Sequence, residues 1–290
     1  MSRLFDCFTF FNELDLLEIR LETLDSVVDF FVIAEAPITY RADPKPLYFE
    51  LNKQRFAKFL PKIRHIIVDD LPTEKGFDQN WQRETLQRAA LERGLADARD
   101  EDIIMLSDLD EIPTPAKIKE AINWHDTLRV FHMRFFSYFA NCESHPGNAY
   151  WVGTGMTEYR LAKGRFEYVL KKLPTHLRMR PNASLRKRIS MRLKEASILL
   201  TRSLRIKRIR NGGHHFSWLG GADKVLQKRG AISIHGGQVF PEDYLTDSGA
   251  AKIVNKAIAR ARPLDNSMPN ILNSIKFEHL IAGLDTEAVA

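Results

Sequence analysis

Four short apolar runs, separated by segments of helical periodicity, constrain this chain more than any other feature. They are residues 4–11 (LFDCFTFF), 29–35 (DFFVIAE), 63–68 (IRHIIV) and 103–106 (IIML). Between them, residues 13–26 carry Leu14, Leu17, Leu21 and Leu24 at steps of three and four, the stripe of an amphipathic helix. Residues 50–60 read as helical, and residues 81–99 as a long helix with one late glycine, Gly94. Apolar strands that alternate with helices predict an α/β fold, a mixed but mostly parallel sheet covered by helices on both faces. Ligands on such sheets bind beyond the carboxyl ends of the strands. Glu35 and the SDLDE segment, residues 107–111, stand at two such ends. The second half is less regular: residues 128–140 and 149–159 are aromatic-rich and read as extended, 231–235 as a short strand, and the tail from about 250 as helical. No linker divides the chain, so 1–290 is expected to form one domain.

Several classes are excluded at once. No apolar run reaches the 18 residues of a bilayer-spanning helix. Asp6, Glu13 and Asp15 interrupt the apolar N-terminus, unlike a signal peptide, and the expected address is the cytoplasm. Two cysteines, Cys7 and Cys142, make neither a disulfide framework nor a thiolate metal site.

The net charge of +6 is local in origin. Residues 178–210 hold twelve Lys/Arg against the single acid Glu195, so the rest of the chain is net acidic. Leu185, Ile189, Leu193, Ala196, Leu200 and Leu204 recur at helical spacing there, which predicts a basic amphipathic helix. Such a helix packs on a core with a solvated outer face, or lies on an anionic membrane, here the inner membrane face. Nucleic acid is not expected, because no aromatic platform interleaves the charges.

The sharpest chemical signal is Asp108-Leu109-Asp110. In an extended segment residues i and i+2 point the same way, so both carboxylates face one side. Close carboxylates repel unless a cation lies between them, and hard oxygen ligands select Mg²⁺ or Mn²⁺. The plainer reading is an acidic turn ahead of a helix beginning at Pro113 and Thr114. A metal-dependent aspartate phosphatase also carries Asp-x-Asp after a buried strand, but Ile112 stands where such enzymes place Thr or Val. The second signal is GGHHFSWLGGAD, residues 212–223, where glycines flank His215 and Trp218 as if backbone approached a ligand. Asp223 is either a helix N-cap or a base for an acceptor hydroxyl. His235 completes a metal shell, holds a phosphate, or is structural. Glu84, Gln87 and Arg88 share one helix face, either solvated or turned to a nucleotide.

Taken in order, residues 8–36, 45–49, 55–72, 81–95, 101–113 and 212–223 resemble glycosyltransferase family 17. The resemblance implies a GT-A-type nucleotide-sugar-binding fold and inverting, single-displacement transfer from a UDP-sugar, with N-acetylglucosamine as the sugar. It implies that residues 1–125 form the nucleotide-sugar half and 126–290 the acceptor half. By the same implication Asp108 and Asp110 hold Mn²⁺ or Mg²⁺ and the donor diphosphate. It makes Asp223 the catalytic base, beside the donor contacts expected of Glu35, Glu84, Gln87, Arg88, His215 and Trp218 from their own places in the pattern. The acceptor is a glycan or lipid-linked saccharide. Family members show Gly-Gly-Trp-His-Phe-Ser in the second motif, so His215 matches and His214 replaces the Trp. The competing reading of the whole chain is a non-catalytic membrane-surface or polyanion-binding protein.

Overall fold

The computed structural model describes residues 2–144, 150–174, 204–222, 224, 247–259 and 261–283. The apolar runs become strands β1 (Leu4–Thr9), β2 (Phe30–Glu35), β3 (Ile63–Ile67) and β4 (Ile103–Asp108), joined by β5 (Glu111–Pro113), β6 (Thr127–Ser137), β7 (Trp151–Glu158) and β8 (Arg205–Ser217). They form one sheet in the order β3-β2-β1-β4-β7-β6-β8-β5. The neighbours β3-β2-β1-β4 and the pair β6-β8 are parallel; β4-β7, β7-β6 and β8-β5 are antiparallel. The α/β expectation with a mixed, mostly parallel sheet therefore holds. Strands of the first 125 residues and of the remainder share this one sheet, with β5 of the first part at the far edge beside β8.

Each face carries its own core, which is why the strands are apolar at successive positions. On one face Leu4, Phe8, Phe31, Ile33 and Met105 pack with Leu17, Leu21 and Leu24 of helix α1 (Leu14–Leu24), and with Phe56, Phe59, Leu272 and Phe277. On the other, Phe5, Val32, Ala34, Ile104 and Leu106 pack with Leu91, Leu95, Val169 and Leu170. Each fully buried leucine contributes about 1.5–3 kcal/mol.

Expected and observed elements differ in places. The long helix over 81–99 is helix α2 (Phe77–Ala90) followed by a 3₁₀ turn, Leu91–Leu95, tightened where Leu91 and Leu95 seat on the sheet. The helix near 113–114 starts one residue later, as α3 (Pro115–Ala121). The basic helix over 178–210 is corrected at its end: Arg205 to Arg210 open strand β8, because Leu204 and Ile209 enter the two cores while the backbone pairs with β6. Residues 178–203 lie outside the described residues, as do 231–235. The helical tail is confirmed over Asp247–Ile258 and then gives way to 3₁₀ turns. No helix among the described residues is long and apolar enough to cross a membrane.

The chain runs outward from β1 through β2 to β3, then returns to place β4 on the other side of β1. Crevices beyond the carboxyl ends of strands open at such a reversal. Register sets Thr9 of β1 beside Asp108 of β4 there.

Candidate functional site

Strand β4 ends at Asp108, and a turn at Leu109 and Asp110 leads into β5. The extended geometry expected for this tripeptide is thus replaced by a turn, and its cause is Arg20. This α1 residue is fully buried, with Nε and Nη2 donating to Asp6 at 2.8 and 2.6 Å and Nη2 to Ser107 Oγ at 2.6 Å. Its Nη1 donates to the carbonyls of Asp108, Leu109 and Glu111 at 3.2, 3.1 and 2.8 Å. One guanidinium therefore gathers three carbonyl dipoles of the acidic loop and folds it back on itself.

The opposite face of the strand end supplies the partners of the carboxylate. Asp108 Oδ1 accepts from Arg88 Nη2 at 2.7 Å, and Oδ2 lies 2.9 Å from Lys171 Nζ. Arg88 Nη2 also meets Glu84 Oε1 at 2.7 Å. Burial pushes the Asp108 carboxyl up, but Arg88 and Lys171 outweigh it and hold the group well below the usual carboxylate range. Burial likewise acts to lower Lys171, and the charges of Asp108 and Glu111 reverse it to a net rise. The Asp108 side chain keeps 32% of its surface exposed, so the carboxylate is partly open to solvent.

The neighbouring groups are tied down by backbone and side-chain contacts. Gln87 Nε2 donates to the Ala34 carbonyl at 3.0 Å. Buried Arg83 donates to the carbonyls of Tyr40, Pro72 and Glu74, pinning the loops before α2. Tyr40 shares a hydrogen bond with Thr9, and burial together with the charge of Glu84 pushes its phenol up. Glu111 is fully buried; its Oε1 accepts from Trp151 Nε1 at 2.6 Å and its Oε2 from Lys171 at 2.6 Å.

Asp110 turns to β8, where His215 Nε2 lies 3.4 Å from its Oδ1. The His215 ring sits against Trp151 and Phe135, centroids 4.5 and 4.8 Å apart, and Trp151 stacks on Phe135 at 5.6 Å. His215 Nδ1 is buried without a hydrogen-bond partner among the described residues. The adjacent His214 faces the other side of the sheet, where burial and then Arg134 lower its pKa to about 4. Gly213 makes its close approach to a strand: a Cβ there would stand 2.2 Å from the Ile112 carbonyl oxygen. The backbone approach expected for a ligand is thus taken up by β5.

The structure brings together Glu84, Arg88 and Asp108, with Gln87 alongside and Asp110 paired to His215. Glu35, at the end of β2, is fully buried, with Phe49 N and His65 Nε2 each at 3.2 Å and Lys45 Nζ at 3.5 Å. Trp218 leaves β8 with φ of 63° and packs with Val254, Tyr138 and Phe139. Asp223 and His235 lie outside the described residues.

Arg20, Glu111 and Lys171 were not singled out from the sequence. Arg20 had a signal, a charge inside the stripe Leu17-Leu21-Leu24, matched by Asp6 inside an apolar strand. Lys171 had none.

Among the described residues no group of three or more His, Cys, Asp or Glu could hold a metal ion. Mg²⁺-type sites are commonly built from one or two carboxylates, waters and substrate phosphates. The hard oxygens of Asp108 and Asp110 fit that kind of site.

The model of Glycosyltransferase family 17 matches residues 1–172. The human β-1,4-mannosyl-glycoprotein 4-β-N-acetylglucosaminyltransferase is 30% identical over 132 residues, covering 42% of this chain and 24% of that protein. The chain thus spans about a quarter of the length of the curated relatives it matches. Among solved structures, Staphylococcus aureus TarS 1–349 is 12% identical with a TM-score of 0.39, over 85% of this chain and 70% of that one. Glucosyl-3-phosphoglycerate synthase from Mycobacterium tuberculosis, solved with Mn²⁺ and UDP-glucose, is 13% identical with a TM-score of 0.33, over 69% and 80%.

Proposed function

The chain belongs to glycosyltransferase family 17, and from that premise we propose that it moves N-acetylglucosamine, with inversion, from a UDP-sugar to a hydroxyl of a glycan or lipid-linked saccharide. The observation that carries this reading is Asp108: a partly open carboxylate at the β1/β4 reversal, ion-paired to Arg88, inside the matched region. The choice of sugar is supported by the name of the human relative.

In this reading Asp108 and Asp110 hold Mn²⁺ or Mg²⁺, which when bound supplies positive charge to the departing diphosphate. Arg20 keeps the loop bent so that Asp110 reaches His215, and His215 orients the Asp110 carboxylate. Glu84 and Arg88 line the donor side of the same strand end. Asp223 is the base: its carboxylate takes the acceptor hydroxyl proton as that oxygen bonds to the anomeric carbon. The bond from that carbon to UDP breaks, and UDP leaves with the electron pair.

Calorimetric titration of UDP and UDP-N-acetylglucosamine, with Mn²⁺ and with chelator, tests the donor site. The expected result is metal-dependent binding that is lost in Asp110→Ala. Folded native protein that binds neither compound overturns the reading.

A further inference from the structure

Lys171 has no role in the transfer outlined above, yet its ammonium lies between two carboxylates at the centre of the site, 2.9 Å from Asp108 Oδ2 and 2.6 Å from Glu111 Oε2. The fold makes a specific provision for it. Lys171 stands on a π-helical turn, Tyr168–Lys172, a rare conformation that is frequent at functional sites. That turn packs directly on β7 because position 155 is glycine; a Cβ there would stand 2.1 Å from the Leu170 carbonyl oxygen. A contact this close, one residue before Lys171, fixes where the lysine enters the site.

Its two carboxylates are unequal. Glu111 is fully buried and held on its other oxygen by Trp151, so it is a fixed anchor. Asp108 is a third exposed and keeps Arg88 on its other oxygen, so it can change partner without losing all compensation. A lysine suits such an exchange, being a compact point charge on a flexible four-carbon stem. A divalent cation arriving at Asp108 competes for the same oxygen and repels the ammonium beside it. A diphosphate arriving with the cation offers the ammonium a new anion.

We propose, resting on the donor-site reading above, that Lys171 is a positioning residue that acts as a resident counter-cation. It holds Asp108 while the site is empty, opposes the binding of a divalent cation alone, and moves to the nucleotide diphosphate when ion and donor bind together. Ion and nucleotide then depend on one another through a single side chain.

Two neutral variants, Lys171→Met and Lys171→Gln, separate this role from a structural one by the opposite signs they require. Measured by electron paramagnetic resonance without nucleotide, Mn²⁺ should bind each variant about tenfold tighter than native protein. Measured by calorimetry at saturating Mn²⁺, UDP should bind each about tenfold more weakly. Folded variants that bind Mn²⁺ alone with native or lower affinity overturn the proposal. Native protein that binds neither Mn²⁺ nor UDP overturns the donor-site reading instead. A measurement on the native chain stands apart from any folding defect: acetylation of Lys171, read by mass spectrometry, should rise with Mn²⁺ alone and fall when UDP is added. Reactivity unchanged by either addition overturns the proposal.

Discussion

Two strands of the same sheet end in an acid, and the two ends have opposite characters. At the end of β2, Glu35 is fully buried among Lys45, His65 and the Phe49 amide, all from the connection that follows it or from the adjoining strand β3. At the end of β4, Asp108 is a third exposed, and its partners are Arg88, twenty positions before it, and Lys171, sixty-three positions after it. In sequence the two are equivalent, each an acid closing an apolar run in an α/β pattern. What separates them is the return of the chain past β1, which leaves Asp108 at the reversal while β2 lies inside the β3-β2-β1 row. The topology thus leaves one strand-end carboxylate partly exposed and makes the other an internal counter-ion.

The contrast can be broken by substitution, and the largest effect belongs to Asp108→Asn. Transfer should fall about a thousandfold or more, the size of losing a charge-stabilising group aimed at a transition state. Its stability should change far less, because Arg88 keeps Glu84 and Lys171 keeps Glu111. Paired sugar-transfer and urea-denaturation assays decide this, and near-native turnover would remove Asp108 from the donor site.

Arg20→Met comes next. It leaves Asp6 buried and unpaired and releases the three carbonyls of the acidic loop, so urea denaturation should show a loss of about 3–5 kcal/mol. An unchanged midpoint would show that the loop holds its turn without Arg20.

The smallest effect is expected of Glu35→Gln, which keeps shape and hydrogen-bonding capacity while removing the charge beside Lys45 and His65. Chemical denaturation should reveal a loss of about 1–3 kcal/mol. A drop in donor affinity that exceeds the loss of stability would return Glu35 to the ligand site and erase the contrast.

Much of this arrangement was legible from local pattern. The strands β1 to β4, the helix α1 and the position of Asp108 follow from apolar periodicity, because a strand buried on both faces must be apolar at successive positions. The grouping of Glu84, Gln87 and Arg88 on one inward face follows from helical spacing of three and four. The Asp6–Arg20 pair was half visible, as two charges set in apolar stripes. The end of the basic segment departs from its helical stripe, which runs from Leu185 to Leu204, because pairing with β6 makes the residues from Arg205 onward a strand.

The sequence by itself determined which segments are buried and where a cluster of acids meets a strand end, since hydrophobic burial and backbone pairing act through local composition. Only the tertiary structure decided which of those acids stays partly exposed, that the Asp108–Asp110 segment turns rather than extends, and that Lys171 reaches it from sixty-three positions further along the chain. These depend on close approaches such as Gly155 against Leu170 and on the Arg20 clamp. Ion pairs and steric contacts act over a few ångströms in space regardless of separation along the chain, so no local pattern can carry them.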